Sequence, residues 1–243
     1  MKRGSAMKQL IMKPLGDSAL LIQFGERIGE DVNAKVQAAA SYLDQHPFTG
    51  YVECIPSFTT LTVYYDLLKL GRPPGSGTAS EYVCSIVTGL LQDMESISFS
   101  ARKIVEIPVC YGGEYGPDLA YVAEINGRSE QDVVKIHTGQ EFLIYALGFA
   151  PGFPYLGGVP ESIAAPRKKT PRLSIPAGSV GIAGTQTGIY PLQTPGGWQI
   201  IGRTPLAIFQ PEHHPPVLLE SGQMIRFKSI SSDEYDRLAG ERK

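Results

Sequence analysis

Residues 142–211 hold eleven glycines and ten prolines among seventy residues. Proline breaks a helix interior, and glycine weakens one, so a stretch this rich in both cannot form long helices. Short apolar segments lie between the breaks, as expected for short strands that are joined by tight turns. This spacing favours a closed β-barrel over a parallel sheet. The region after residue 105 is therefore predicted to be a β-barrel domain.

The chain before this region has a different pattern. Strands are predicted over 18–24, 51–55, 60–66 and 103–109, and amphipathic helices over 32–43 and 83–94. The order β-α-β-β-α-β is typical of a ferredoxin-like sandwich. We therefore predict an α+β chain, with a small ferredoxin-like α/β domain over 7–105 and a barrel domain over 106–240. Residues 1–6 precede a second methionine and are expected to be an added leader.

Charge and cysteine content exclude several classes of protein. The formal net charge is −2, without the general basic field of a nucleic-acid binder. The uncharged runs 142–160 and 173–202 are broken by Gly and Pro, so neither is expected to form a bilayer helix. Three cysteines without a CxxC pair argue against a disulfide framework and a zinc site. A cytoplasmic protein with no metal ligands is expected.

The charge of residues 142–211 is nevertheless positive. Five bases oppose the single acid Glu161, a formal charge of +4, whereas the rest of the chain carries −6. This asymmetry indicates a bound anion, namely a phosphate or carboxylate on a small molecule; the alternative is a solvated basic loop. We predict that the candidate cations Arg203 and Arg167, the latter in the basic loop 167–172, border one anion pocket together with the turn 195–198. The turns 176–181 and 195–198 offer bare backbone around the candidates Gly178, Ser179, Gly196 and Gly197, although glycines at barrel corners are the alternative.

An irregular aromatic loop precedes the basic segment. Residues 148–158 contain Phe149, Phe153 and Tyr155 between repeated Gly and Pro breaks. Such a segment cannot be regular structure, so its aromatic rings are expected to line a pocket or a partner surface. His137 ends a predicted helix just before this region and is the one histidine placed to reach it. A structural role for His137 stays open as the alternative.

Four segments carry a family resemblance. They read ECIPSFTTL from residue 53, VCYGG from 109, GFAPGFPYLGG from 148, and APRKKTPRLSIPAGSVGIAGTQTGIYPLQTPGGWQIIGRTP from 165. The chain resembles the allophanate hydrolase subunit 1 family (carboxyltransferase subdomain C and D), which includes KipI-type proteins and the B subunits of 5-oxoprolinases (PxpB). The resemblance implies a small α/β domain followed by a cyclophilin-like β-barrel.

The resemblance also implies an activity and partners. Family members of this type work with a KipA-type protein, the C subunit, and with a third protein, the A subunit. Together they open the lactam ring of 5-oxoproline to glutamate with ATP hydrolysis. KipI-type members are alternatively inhibitors of a sporulation sensor histidine kinase. Neither a nucleic acid nor a membrane is expected as a partner, and the isolated chain is expected to be inactive.

The same resemblance suggests roles for particular residues. His137 or Tyr145 would move protons, and Gln186 would orient a carbonyl or a water molecule. Arg167 and Arg203 suit a bidentate contact with a carboxylate or phosphate. ATP with Mg²⁺ is expected at a site shared with a partner protein, because Glu161 is the single acid in the glycine-rich stretch.

Overall fold

The computed structural model describes residues 10–72, 75, 77–92 and 102–241. The chain divides into two compact units, residues 1–101 and 102–243. The expected leader and Met94, the end of the second predicted helix, lie outside the described residues. Among the described residues, no helix is both long and apolar enough to cross a bilayer.

The first unit is a four-stranded antiparallel sheet with helices. The sheet order is β1-β2-β4-β3, and a core of apolar side chains that includes Leu20, Val36 and Val87 joins the sheet to helices α1 and α3. Its elements are β1 Ile11–Pro14, β2 Ala19–Gln23, α1 Glu30–Gln45, β3 Tyr51–Ser57, β4 Thr60–Tyr65, α2 Leu67–Leu70 and α3 Ala79–Gln92.

The predicted ferredoxin-like domain is not confirmed. Strands β2 and β3 flank β4 and are connected through α1, which agrees with the first part of the predicted order. The strand after α3, however, does not join this sheet. It pairs in parallel with a strand of the second unit, and the edge beside β2 is instead taken by β1. Alternating apolar residues predict a strand but not its partner, because pairing is decided by long-range contacts.

The second unit is a closed seven-stranded barrel, as the glycine and proline pattern predicts. The strands follow one another around the barrel in the order β6-β13-β5-β12-β9-β10-β7, and β7 pairs again with β6. A separate two-stranded ribbon consists of β8 and β11. The elements are β5 Ile104–Tyr111, α4 Leu119–Ile125, α5 Glu130–Thr138, β6 Glu141–Leu147, β7 Pro154–Gly157, β8 Arg172–Ile175, β9 Ser179–Ala183, β10 Gln186–Ile189, β11 Thr194–Gly196, β12 Gln199–Arg203, β13 Met224–Ile230 and α6 Ser232–Gly240.

The alternation of side chains along the barrel strands positions the candidate site. Val109, Val180 and Ile201 point inward and share one core, so their neighbours along each strand point outward. A second apolar cluster includes Phe153, Ile175 and Trp198. Helix α5 begins with a capping box, in which the Ser129 hydroxyl and the Asp132 carboxylate satisfy each other's backbone N–H groups. This helix carries His137 to the barrel interior.

Candidate functional site

The basic loop 167–172 lies against the turn 195–198, as the sequence predicts. The Lys168 N–H donates to the Gly197 carbonyl oxygen at 2.7 Å, and Arg172 is the Cα partner of Gly196 in the β8–β11 ribbon. Gly196 is required there because a Cβ atom would overlap the Tyr190 hydroxyl group. The structure therefore brings together two of the three parts of the predicted anion pocket.

Sequence reasoning missed Asp118, which holds this loop in place. Asp118 is only 5% exposed, and its carboxylate accepts two hydrogen bonds from Arg172, at 2.7 and 2.8 Å, and one from Lys168 at 3.3 Å. It also accepts the Ile200 N–H at 2.7 Å. Burial raises the pKa of Asp118, but the hydrogen bonds from Arg172 and Ile200 and the two positive charges outweigh burial and hold it below the usual value.

Two cations of the loop are thus committed to Asp118, and others remain at the surface. Arg167 is exposed, and its guanidinium carbon lies 5.9 Å from the centre of the Trp198 ring, within the range of a cation–π contact. Lys169 is also exposed. No signal in the sequence around Asp118 distinguishes it from a helix cap, because its partners lie at least fifty residues away.

Trp198, which Arg167 covers, belongs to a group of aromatic rings. Phe153 is the centre of the group, with ring centroids 4.8 Å from Tyr155, 5.2 Å from Tyr190 and 5.4 Å from Trp198. Phe153, Tyr190 and Trp198 are buried, while Tyr155 is half-buried. We define the aromatic site as these residues with two further members: Phe149, Phe153, Tyr155, Tyr190, Trp198 and Arg167.

Phe149 differs from the other aromatic residues in both exposure and backbone conformation. Its side chain is 69% exposed, and its φ of 68° lies in the left-handed region that non-glycine residues rarely adopt. Its ring contacts Phe153 edge to face at 5.8 Å, whereas Phe153 itself is only 2% exposed. A large apolar ring held out in a strained conformation is more typical of a contact surface than of a core.

Arg203, the third part of the predicted pocket, is the last residue of β12, five positions after Trp198 in the chain. Its stem passes over Gly178, and its guanidinium group lies 5.7 Å from the Tyr115 ring. Ser179 is its Cα partner on β9. The contacts of Arg203 are therefore with Tyr115, Gly178 and the Glu114 carbonyl oxygen, and a pocket that it shares with the basic loop stays a prediction.

The glycines of these turns serve packing and turns. Gly178 has a φ of 82°, and a Cβ atom there would overlap the Thr204 carbonyl oxygen. Its N–H donates to the Tyr190 carbonyl oxygen at 2.7 Å, so this donor is already used within the protein.

His137 is fully buried in the barrel. Its Nδ1 lies 2.8 Å from the Tyr111 hydroxyl, and its Nε2 lies 3.0 Å from the Thr187 hydroxyl. Because the Thr187 hydroxyl donates to the Gly181 carbonyl oxygen, Nε2 must donate to Thr187 and Nδ1 must accept from Tyr111. Burial lowers the pKa of His137 to about 3. The ring is neutral, and both of its nitrogens are occupied by partners in the core.

The other two predicted catalytic residues lie near one another on the barrel wall. Tyr145 on β6 is buried, and its ring covers Gly157, where a Cβ atom would collide with it. Gln186 is the Cα partner of that same Gly157 from β10 and is half-buried. Tyr145 and Gln186 are therefore neighbours across β7, and His137 is not part of that pair.

Comparisons with known proteins agree on a family. The profile of the carboxyltransferase domain, subdomain C and D, matches residues 10–219. A Bacillus subtilis protein, named as the B subunit of 5-oxoprolinase, is 54% identical over 226 residues, which are 92% of this chain and 94% of the relative. A protein of the same name from Escherichia coli O157:H7 is 56% identical over 213 residues, 88% of this chain and 93% of that one.

The fold is also similar to a solved structure. The crystal structure of TTHA0988 has a TM-score of 0.75 and 34% identity to this chain and covers 88% of it. The present chain spans only 40% of that longer protein.

Proposed function

The chain belongs to the carboxyltransferase subdomain C and D family, and we therefore propose that it acts as the B subunit of an ATP-dependent 5-oxoprolinase. The observation that carries this proposal is the 54% identity to a protein of that name along nearly the whole length of both chains. In the proposed reaction, water breaks the lactam C–N bond of 5-oxoproline to give glutamate, and ATP hydrolysis drives the step.

We assign the first contact with the substrate to the aromatic site. 5-Oxoproline is a flat ring with one carboxylate, so a guanidinium group next to aromatic faces matches both of its parts. Arg167 provides the charge, since Lys168 and Arg172 are bound to Asp118. Gln186 and Tyr145 are the candidates to orient the lactam carbonyl and to move a proton.

In the part of the chain that the structure describes, the side chains do not by themselves fit Mg²⁺. This ion prefers carboxylate oxygens, and the buried carboxylate beside the aromatic site, Asp118, already accepts from Arg172, Lys168 and Ile200. Within the described residues, no group of three His, Cys, Asp or Glu side chains is arranged to hold a metal. ATP and Mg²⁺ are therefore assigned to a site that includes a partner protein, and no step on this chain is derived through them.

Phe149 is proposed to contact that partner. An exposed aromatic side chain surrounded by buried ones is the usual form of an interface anchor. The expected partners are the KipA-type C subunit and the A subunit of the same enzyme. Lys169, exposed on the basic loop, would orient a partner surface of negative charge.

The test is ATP-coupled release of glutamate from 5-oxoproline. It is measured for this chain alone, for homologues of the A and C subunits without it, and for the three together. We expect activity only in the three-part mixture. Turnover by the isolated chain would contradict the shared site. An inactive mixture, together with inhibition of histidine-kinase autophosphorylation by this chain, would support the alternative inhibitor function instead.

A further inference from the structure

The outer wall of the barrel carries a row of three side chains on neighbouring strands. Arg203 on β12 is the Cα partner of Ser179 on β9 and of Cys110 on β5. Directly opposed residues of antiparallel strands point to the same face of a sheet. Val109 and Val180, their neighbours along the strands, point into the barrel core, so the row faces outward. We call Ser179, Arg203 and Cys110 the Arg203 row.

Two hydrogen-bonding groups of the Arg203 row have no partner. The Ser179 side chain is fully buried, and neither its Oγ nor the buried Nε of Arg203 makes a hydrogen bond. Arg203 makes one long hydrogen bond, from Nη2 to the Glu114 carbonyl oxygen at 3.4 Å, and no ion pair with any described residue.

Native proteins rarely keep a buried donor without an acceptor, because burial has removed its hydrogen bonds to water and nothing replaces them. Here two such donors, the Ser179 O–H and the Arg203 Nε–H, belong to directly opposed residues of β9 and β12. A carboxylate has two oxygens that can accept from them, and an arginine fork is the side chain that binds carboxylates best. The flexible stem of Arg203 allows its guanidinium group to turn and admit such an oxygen.

The surroundings of the Arg203 row restrict the ligand further. The Tyr115 ring, beside the Arg203 guanidinium, packs 4.6 Å from the Tyr235 ring of α6. Glu114 and Asp236 are exposed there. Burial is the largest cause of the raised pKa of Tyr115, and the negative charges of Asp236 and Glu114 raise it further. One cation with two carboxylates at the rim disfavours a dianion such as phosphate. It favours a carboxylate that carries an ammonium group, which aromatic faces also attract.

We propose that the Arg203 row binds a free α-amino acid. Its carboxylate accepts hydrogen bonds from Arg203 and Ser179, and its ammonium group lies toward Glu114, Asp236 and the two tyrosine rings. Glutamate, the product of the proposed reaction, is an amino acid of this kind. The choice of glutamate as the probe therefore rests on the proposed function, whereas the chemical class rests on the row itself.

The experiment is calorimetric titration of the full chain, without partners or ATP, with L-glutamate and with glutarate. Glutarate has the same carboxylates but lacks the ammonium group. We expect a saturable isotherm for L-glutamate and at least tenfold weaker binding of glutarate. Equal binding of the two would overturn the proposal, and so would the absence of binding at millimolar L-glutamate.

Variants separate binding from folding. Arg203→Gln is expected to weaken L-glutamate binding at least tenfold, and Ser179→Ala by about threefold to tenfold, the usual value of one hydrogen bond. Since the Ser179 hydroxyl has no partner within the protein, Ser179→Ala should leave the Tm unchanged or raise it. The exposed Lys135→Gln is the matched control and should bind like the wild type. Undiminished binding by Arg203→Gln would overturn the proposal.

The titration does not depend on catalysis. An active three-part mixture with no binding to this chain would overturn only the amino-acid site. Binding together with an inactive mixture would overturn only the proposed function.

Discussion

The two terminal guanidinium nitrogens of Arg172 donate hydrogen bonds to the two carboxylate oxygens of Asp118, at 2.7 and 2.8 Å. Arg172 and Asp118 are 54 positions apart in the chain. The same carboxylate accepts the Ile200 N–H of β12. One buried side chain therefore ties the β8–β11 ribbon and its basic loop to the barrel. Arg167, in the same basic loop, lies 5.9 Å from the centre of the Trp198 ring.

Asp118→Ala should lower the free energy of unfolding by about 3 kcal/mol, because it leaves Arg172 and Lys168 without their buried counter-charge. Urea denaturation measures this change. Glu124→Ala, an exposed carboxylate on the same helix α4, is the control and should stay within about 0.5 kcal/mol of the wild type. Equal effects of the two variants would show that the ion pair does not stabilise the ribbon.

His137 should make the protein sensitive to acid. The unfolded chain binds a proton at this residue below pH about 6.5, whereas burial lowers the folded pKa to about 3. His137 therefore leaves the free energy of unfolding undiminished above pH 6.5. Below that pH the free energy of unfolding falls, by up to about 1.4 kcal/mol per pH unit, until the pH reaches about 3.

The measurement is the free energy of unfolding as a function of pH for the wild type and for His137→Gln. The variant lacks this titration, so its curve should be flatter between pH 6.5 and 3. His46→Gln, which replaces an exposed histidine, is measured alongside as the control for the substitution itself. Parallel curves for the wild type and His137→Gln would contradict the prediction.

Phe149→Ala should leave the fold intact and weaken assembly with the partner proteins. The ring is exposed and its backbone is strained, so its loss should change the free energy of unfolding by less than about 1 kcal/mol. Phe153→Ala removes a buried ring and should cost about 3–5 kcal/mol, so it cannot separate assembly from folding.

Size-exclusion chromatography of the three-part mixture measures assembly, and urea denaturation of each variant measures folding. If Phe149→Ala assembles as fully as the wild type, Phe149 is not part of the interface with the partner proteins.

Limited proteolysis should cleave the chain near the boundary of its two compact units, at residues 101 and 102, and release two folded fragments. Each compact unit has its own apolar core, and domain boundaries lie where few contacts cross. Mass spectrometry of the fragments locates the cut, and circular dichroism reports whether each fragment stays folded. Early cuts inside either core would argue for one cooperative unit.

Local signals in the sequence were sufficient for much of the fold. The glycine and proline pattern after residue 141 predicts a barrel of short strands, and the structure has a closed barrel there. The spacing of apolar residues predicts α1 and α3. These features depend on residues within a few positions of each other, which is why they can be read from the chain.

Tertiary structure alone decided the rest. The strand after α3 pairs in the barrel, Asp118 finds partners at least fifty residues away, and Arg203 is paired with Ser179 and Cys110. Likewise, nothing near His137 in sequence indicates that Tyr111 and Thr187 occupy its two nitrogens. Strand pairing and the choice of buried polar partners depend on which distant segments meet when the core closes, and local periodicity carries no information about that.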